Sequence, residues 1–417
     1  MPATAIPSDN SNARHMLLTT SISWIWNLAD RAMIGPLLPL IVVYFHIPLA
    51  LAGFVVSIFF IGYLSTAFSG WLSDRYGRKK LIVTSVTGFG VVTGLTALAP
   101  AVWFIMIIRI LTGLFEGAQY PTGVAWVNES FPRERRARAI GIFQMAGNFG
   151  SVVGIVVASV VGAHFGWRGP WLVMVIPTLL TALWIAKTVR EIPRTQTPAY
   201  KEVEHSNQKT QGKYSEVFRV RNVWVGFLLH GLFNFANWGL ASWIPLYMIK
   251  VKHMGFTSAG LLSAVFTIGI ALGMYVSGWV ADKWGRRLTT SIWALLGIPL
   301  LLGFLHTSNI MVAIICIFLT GFFGNGWLGN VLTMIGDSIT PNLAGSANGV
   351  VMFGAEIGAV LGPLVGGIIA QSIGLARGLN YYTILYLLAG IIIWLGADMK
   401  GGVKYQQSMA VDNLESI

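Results

Sequence analysis

Twelve stretches of about twenty mainly apolar residues follow one another along this chain. Each is long enough to cross the hydrocarbon core of a bilayer as a helix, which satisfies its own backbone hydrogen bonds. Their approximate bounds are 16–44, 52–72, 81–100, 102–128, 138–163, 169–188, 223–250, 259–281, 288–306, 309–335, 344–372 and 380–398. Only 11% of the 417 residues are charged, against about 25% in a soluble domain. A water-soluble fold could not cover its surface with so few. A soluble enzyme, a disordered chain and a nucleic-acid-binding domain are thereby excluded. The first 15 residues carry no cleavable signal pattern, so the first span is expected to be retained.

The basic residues fix an expected orientation. With the N-terminus inside, 22 of the 28 Lys and Arg fall in inside segments and four outside, at Arg168, Lys250, Lys252 and Arg377. The remaining two, Arg31 and Arg109, lie within spans. Such asymmetry follows the positive-inside rule and places both termini in the cytoplasm of a multi-pass cell-membrane protein. The net charge of +12 therefore matches anionic lipid rather than nucleic acid. Cys316 is the single cysteine, so there is no disulfide framework and no cysteine-rich metal site. His46, His164, His253 and His306 sit in outside loops with no metal spacing. No phosphate-cradling or dinucleotide motif and no Ser/His/Asp arrangement occurs, so no cofactor is expected and the chain does not read as an enzyme.

The sequence repeats at an offset of 208 residues. Gly70-Trp71-Leu72-Ser73-Asp74-Arg75-Tyr76-Gly77-Arg78-Lys79 recurs as Gly278-Trp279-Val280-Ala281-Asp282-Lys283-Trp284-Gly285-Arg286-Arg287. Leu111-Thr112-Gly113 recurs as Leu319-Thr320-Gly321, and Ala139, Gly141, Gly150 and Gly154 recur as Ala347, Gly349, Gly358 and Gly362. Two parallel six-span halves are a transporter architecture with a site near the midplane. The expected fold class is thus all-α integral membrane, with 12 transmembrane helices in two six-helix pseudo-symmetric halves. The expected domain plan is a cytoplasmic tail 1–15, a half 16–188, a cytoplasmic linker 189–222, a half 223–398 and a cytoplasmic tail 399–417.

The repeat fails at its charges. Arg109 aligns with Ile317, Glu116 with Gly324, and Asp30-Arg31 with Trp238-Gly239. A charge at the bilayer centre costs at least about 2.5–3.5 kcal/mol on the insertion scale, so such residues pair, face water and serve function. Arg109 and Glu116 are seven residues apart, on nearly the same helix face. Two carboxylates and two arginines in nearby spans can neutralise each other as Asp30 with Arg109 or Glu116 with Arg31, and sequence does not choose the pairs. Burial disfavours the charged form of a carboxyl group, and a nearby arginine favours it. A substrate anion that takes the arginine leaves the carboxylate to a proton. Asp30 and Glu116 are accordingly the proton-coupling candidates. Arg31 and Arg109 are the anion-binding candidates, since their guanidinium fork suits a carboxylate. The plainer alternative is a static ion-pair network that fixes helix packing.

Trp24 and Asn27 share a helix face with Arg31 and are expected to line the same cavity. Asn234, Asn237 and Asn325 are further candidates for substrate contact, with interhelix hydrogen bonding as the simpler reading. Asn330 reads the same way. Glu356 is either a protonated structural group or a second titrating site. Trp71, Trp103, Trp171, Trp184, Trp224, Trp279 and Trp394 lie near span ends and are expected to form interfacial belts.

The loop Gly70-x-x-x-Asp74-Arg75-x-Gly77-Arg78-Lys79 resembles the signature of the major facilitator superfamily. That resemblance implies gating by Gly70, Asp74, Arg75, Gly77 and Arg78, with Arg138 as the latch partner of Asp74. Gly278, Asp282, Gly285 and Arg286 are the second copy. Asn27-Leu28-Ala29-Asp30-Arg31, and Arg109-x-x-x-Gly113-x-x-Glu116-Gly117-x-x-x-Pro121 followed by Pro132-x-Glu134-Arg135, resemble the anion:cation symporter family of sugar-acid and sialin-like carriers. There, the resemblance implies, the span 1 Asp-Arg and span 4 Arg and Glu couple protons and bind substrate, and a monomer is usual. Span 5 lacks the Gly-Pro of drug antiporters, and Gly362-Pro363 occurs in span 11 instead. Together these point to proton-coupled symport of a small organic anion, such as a sugar acid or monocarboxylate. Aromatic-acid symport is a close rival, and uniport or drug efflux are further ones. A non-transporting membrane sensor is the alternative from another class.

Overall fold

The computed structural model describes residues 9–191, 214–339 and 343–397. Most of the expected linker, much of the expected N-terminal tail and the whole expected C-terminal tail lie outside the described residues. Among the described residues the regular structure is helical throughout.

The first six spans comprise α1 (Asp9–Phe45), α2 (Leu49–Tyr63) with α3 (Thr66–Tyr76), α4 (Arg78–Thr96), α5 (Val102–Glu116) with α6 (Gln119–Ser130), α7 (Arg133–Phe165) and α8 (Gly169–Thr188). A single turn, α9 (Tyr214–Val217), precedes α10 (Arg221–Lys250), α11 (Phe256–Trp284) and α12 (Arg286–His306). The tenth span runs through α13 (Ile310–Leu319), a π-helical stretch (Thr320–Asn325) and α14 (Leu328–Asp337). It is followed by α15 (Ala344–Ile373), then α16 (Leu375–Gly378) and α17 (Tyr382–Gly396), joined by a 3-10 turn at Leu379–Tyr381. This is the all-helical fold of twelve spans that the sequence leads one to expect. Ten of the spans are long and apolar enough by composition alone to cross a bilayer. The other two are α4, which opens on Arg78-Lys79-Lys80, and α10, which carries Asn222, His230, Asn234 and Asn237. Their polar residues dilute the apolar signal.

α1 begins at Asp9, seven residues before the expected span, and its first turns are tied down. Asn12 Nδ2 donates to the Arg190 carbonyl at 3.1 Å, and His15 Nε2 lies 2.7 Å from Thr188 Oγ1. The first turns of α1 are thereby fixed to the end of the sixth span.

The chain divides into two compact units. One is Met1–Ile47, Ile58–Lys209 and Gly255–Leu261; the other is Pro48–Ser57, Thr210–Met254 and Leu262–Ile417. Each unit takes one short segment from the other half of the sequence. In both, the most extensive helix pairing is that of the first span with the fifth in repeat order, α1 with α7 and α10 with α15. Glycine makes it possible. A Cβ at Gly150 or Gly154 would strike the backbone of Ile25 or Ala29, and one at Gly358 or Gly362 that of Gly231 or Phe235. Close backbone approach through small residues is the usual means of membrane helix association, because lipid supplies no hydrophobic drive between helices.

The repeated loop also has a repeated backbone. Gly77 and Gly285 adopt φ of 92° and 87°, values that glycine takes without the steric cost of a Cβ. The two turns reverse the chain between spans 2 and 3 and between spans 8 and 9.

Candidate functional site

Span 4 is interrupted where its chemistry lies. α5 ends at Glu116 and α6 begins at Gln119, with a turn at Gly117-Ala118 between them. At the 208-residue offset, span 10 has its π-helical stretch and then a turn at Gly326-Trp327. Such breaks free backbone carbonyls and are found at functional positions. Here side chains take the freed groups up. Ser65 Oγ donates to the Leu114 carbonyl at 2.8 Å, Ser85 Oγ to that of Phe115 at 2.6 Å, and Ser277 Oγ to that of Gly326 at 2.6 Å.

In the first unit all four charged candidates converge. Arg109 Nη2 donates to Asp30 Oδ2 at 2.9 Å, and Arg31 Nη2 to Glu116 Oε2 at 3.3 Å. Both pairings that the sequence left open are formed. Asp30, Arg109 and Glu116 are at most 1% exposed and Arg31 8%, so a bulk-solvent description does not apply to any of them. The carboxylates have further support. Thr93 Oγ1 of α4 donates to Asp30 Oδ1 at 2.6 Å. Arg31 Nη2 also donates to Asn27 Oδ1 at 3.1 Å, Asn27 Nδ2 to Gln119 Oε1 at 2.8 Å, and Gln119 Nε2 to Ser23 Oγ at 2.7 Å. The guanidinium groups lie against aromatic faces: Arg31 Cζ is 4.1 Å from the Tyr63 ring centroid, and Arg109 Cζ 4.8 Å from that of Trp171. Phe59 reaches both, at 5.2 and 5.4 Å. Gly113 lets α2 come this close, since a Cβ there would meet the Phe59 carbonyl and the Tyr63 amide. Two buried polar atoms, Glu116 Oε1 and Arg109 Nε, have no hydrogen-bond partner among the described residues. The arrangement is two charge-neutral pairs in a low-dielectric surround, with donor and acceptor capacity to spare.

Several members of this cluster, Ser23, Phe59, Tyr63, Thr93 and Gln119, carry no signal in the sequence, and Trp171 carries a misleading one. Thr93 and Gln119 are ordinary polar residues until the fold brings them to the ion pairs. Trp171 was expected in an interfacial belt and is instead fully buried over Arg109. It lies early in α8, and position along a span does not reveal which way a ring points. Trp71, Trp103, Trp224, Trp279 and Trp394 are exposed as belt residues would be. Trp24 is buried and stacks on Phe143 with a centroid separation of 5.4 Å, with Tyr120 at 5.3 Å.

The second unit holds the remaining amide candidates and Glu356. Asn234 Nδ2 donates to the His230 carbonyl at 3.2 Å, and its Oδ1 accepts from Trp238 Nε1 at 3.0 Å. Asn325 is fully buried, accepts from Tyr386 Oη at 2.7 Å and reaches the Phe233 carbonyl at 3.4 Å. Asn330 Nδ2 reaches the Ser277 carbonyl at 3.5 Å. Asn237 and Glu356 are half-buried on α10 and α15.

The repeated loops are built alike. Arg78 grips Glu129 with two bonds, Nη2 to Oε1 at 2.7 Å and Nε to Oε2 at 3.3 Å, and its Nη1 pairs with Asp74 at 2.8 Å and with Ser73 Oγ. Burial alone would lower the Arg78 pKa; hydrogen bonding and the charges of Glu129 and Asp74 outweigh it and raise it. Glu191 closes the turn, its Oε1 accepting from the Arg78 amide at 2.5 Å and the Lys79 amide at 3.3 Å. In the second unit Arg286 pairs with Asp337. Glu129 and Asp337 are themselves 208 residues apart, so the repeat offset could have found them. Arg138 lies exposed in the first turns of α7, as do Asp74, Arg75 and Asp282 elsewhere. Gly70 and Gly278 face open space.

The family model of the Major Facilitator Superfamily matches residues 21–328 and 252–405. The D-galactonate transporter of Escherichia coli O6:H1 is 27% identical over 386 residues, covering 82% of this chain and 87% of that one. The niacin transporter of Acinetobacter baylyi is 24% identical over 419 residues, covering 93% and 94%. A crystal structure of a bacterial homolog of the human lysosomal transporter Spinster superposes with a TM-score of 0.81 at 18% identity, covering 93% of this chain and 98% of that one. At that identity the superposition shows a shared fold. The chain belongs to the major facilitator superfamily and is a multi-pass secondary transporter of the membrane.

Proposed function

We propose that this transporter carries a small organic anion together with protons, by alternating access of two six-span halves. The observation that carries the reading is the pair of buried ion pairs, Asp30–Arg109 and Arg31–Glu116, on neighbouring helices. An arginine that leaves its carboxylate for a substrate carboxylate keeps its charge satisfied. The deserted carboxylate is then a buried charge, which a proton removes. Entry of the anion and entry of the proton become one event. Asp30 and Glu116 are the proton carriers, and Arg31 and Arg109 the anion ligands. Asn27, Trp24, Asn234, Asn237, Asn325 and Glu356 are candidates to complete the binding surface. Gly70, Asp74, Arg75, Gly77, Arg78 and Arg138, with Gly278, Asp282, Gly285 and Arg286, form the gating loops. The membrane is the cell membrane, with both termini in the cytoplasm. The D-galactonate relative favours a sugar acid; the niacin relative supports a second reading, in which the anion is aromatic.

The test is uptake by proteoliposomes across sugar acids, monocarboxylates and aromatic acids, with and without an inward proton gradient. Accumulation of one class of acid that collapses when the gradient is dissipated is the expected result. Gradient-independent uptake of neutral sugars would overturn the reading.

A further inference from the structure

We propose that the two flanks of α17 form a binding site for an anionic phospholipid with two phosphates and four acyl chains, of the cardiolipin type. Two apolar grooves of about 430 Å³ each run along this helix. One, lined by Trp224 and Leu228, lies towards α10; the other, lined by Leu288 and Leu295, lies towards α12. Ile391 and Leu395 belong to both, so α17 is the ridge between them. No carboxylate lines either groove.

An arginine stands at the head of each. Arg221 lines the first groove and its Nη2 donates to the Leu395 carbonyl at 2.7 Å. Arg287 donates to the Trp394 carbonyl, and its Cζ lies 4.7 Å from the ring of Trp394, which lines the second groove. Two guanidinium groups thus meet consecutive carbonyls in the last turn of one helix, at the negative end of its dipole. A guanidinium has five donors, and each of these contacts uses a single terminal nitrogen. Among the described residues neither Arg221 nor Arg287 has a carboxylate partner, whereas the adjacent Arg286 is paired with Asp337. Two basic groups without a carboxylate partner among the described residues therefore stand one on each side of the ridge. Acyl chains of any phospholipid fill the grooves equally well, so the head group decides selectivity. Basic pockets between membrane helices are suited to phosphate head groups, and two arginines over two grooves match two phosphates with a chain pair apiece.

The experiment is native mass spectrometry of the detergent-solubilised full chain, with cardiolipin, phosphatidylglycerol and phosphatidylethanolamine of matched chains. One cardiolipin per protein, held about tenfold more tightly than either of the others, is expected. R221Q/R287Q should reduce cardiolipin to the level of phosphatidylethanolamine. Because these arginines also bind the end of α17, L228W/L295W provides a second variant that fills the grooves and leaves both guanidinium groups in place. It should lower cardiolipin retention by a similar factor while the protein remains monodisperse. Equal retention of cardiolipin and phosphatidylglycerol by the unaltered chain overturns the proposal, as does undiminished cardiolipin retention in either folded variant.

Discussion

The break in span 4 and the break in span 10 occupy the same place in the repeat, yet their surroundings differ completely. Around the first lie Asp30, Arg31, Arg109 and Glu116, all buried and paired. At the same offsets the second unit has Trp238, Gly239, Ile317 and Gly324. Aromatic packing fills the vacated volume: a Cβ at Gly239 would strike Tyr382, and Tyr386 lies against Gly324 while donating to Asn325. Thr93 and Gln119, which support the charges of the first unit, are replaced by Leu301 and Trp327. The loops at the end of spans 2 and 8, by contrast, keep their arginine–carboxylate pair in both units. Duplication has preserved the parts that shape and latch the helices, and has left the costly buried charges in one copy.

Arg109→Ala gives the most severe test of that contrast. It strands Asp30 without its arginine, a change of about 3–5 kcal/mol at a buried pair. Both gradient-driven uptake and counterflow exchange should vanish, and the melting temperature should fall. D30N/R109Q removes both charges together; a return of stability without transport separates a functional pair from a structural one. Normal transport by the double variant would mean that this pair only packs helices. Glu116→Gln is milder. It keeps the shape of the side chain and the Arg31 contact, so exchange should persist while gradient-driven uptake falls about a hundredfold, within the range of a lost proton-transfer group.

The latches permit a direct comparison between units. Arg78 is 9% exposed in its side chain and bonds Glu129 twice, while the Arg286–Asp337 pair is 27% and 49% exposed. Arg78→Gln should therefore cost about 1.5–3 kcal/mol, and Arg286→Gln less than about 1 kcal/mol, both read from thermal unfolding. An equal loss would show that the two loops are energetically alike. Tyr386→Phe removes one hydrogen bond to Asn325 and should cost about 1 kcal/mol, a small effect comparable with that of Arg286→Gln. Unchanged substrate selectivity in this variant would assign the second unit's amides to packing.

Much of this was legible beforehand, for a physical reason. A bilayer leaves a polypeptide few ways to satisfy its backbone, so twelve apolar stretches already specify twelve helices. The exceptions are instructive. The first seven residues of α1 look like a tail because they are polar, and only their bonds to Thr188 and Arg190 explain their order. Trp171 looked interfacial because depth along a span is readable and direction is not. Glu129 and Asp337 look like ordinary single carboxylates near span ends, and only their shared 208-residue offset marks them.

The span count, the repeat and the identity of the buried charges can be read along the chain alone, since each is a matter of composition or spacing in one dimension. Which arginine meets which carboxylate, that Thr93 and Gln119 brace them, that Trp171 turns inward, and that Arg221 and Arg287 meet at the end of α17 were decided by tertiary structure alone. Those relations join residues from 62 to 174 positions apart in the chain, and the rotation of each helix about its axis, which only packing fixes, sets them.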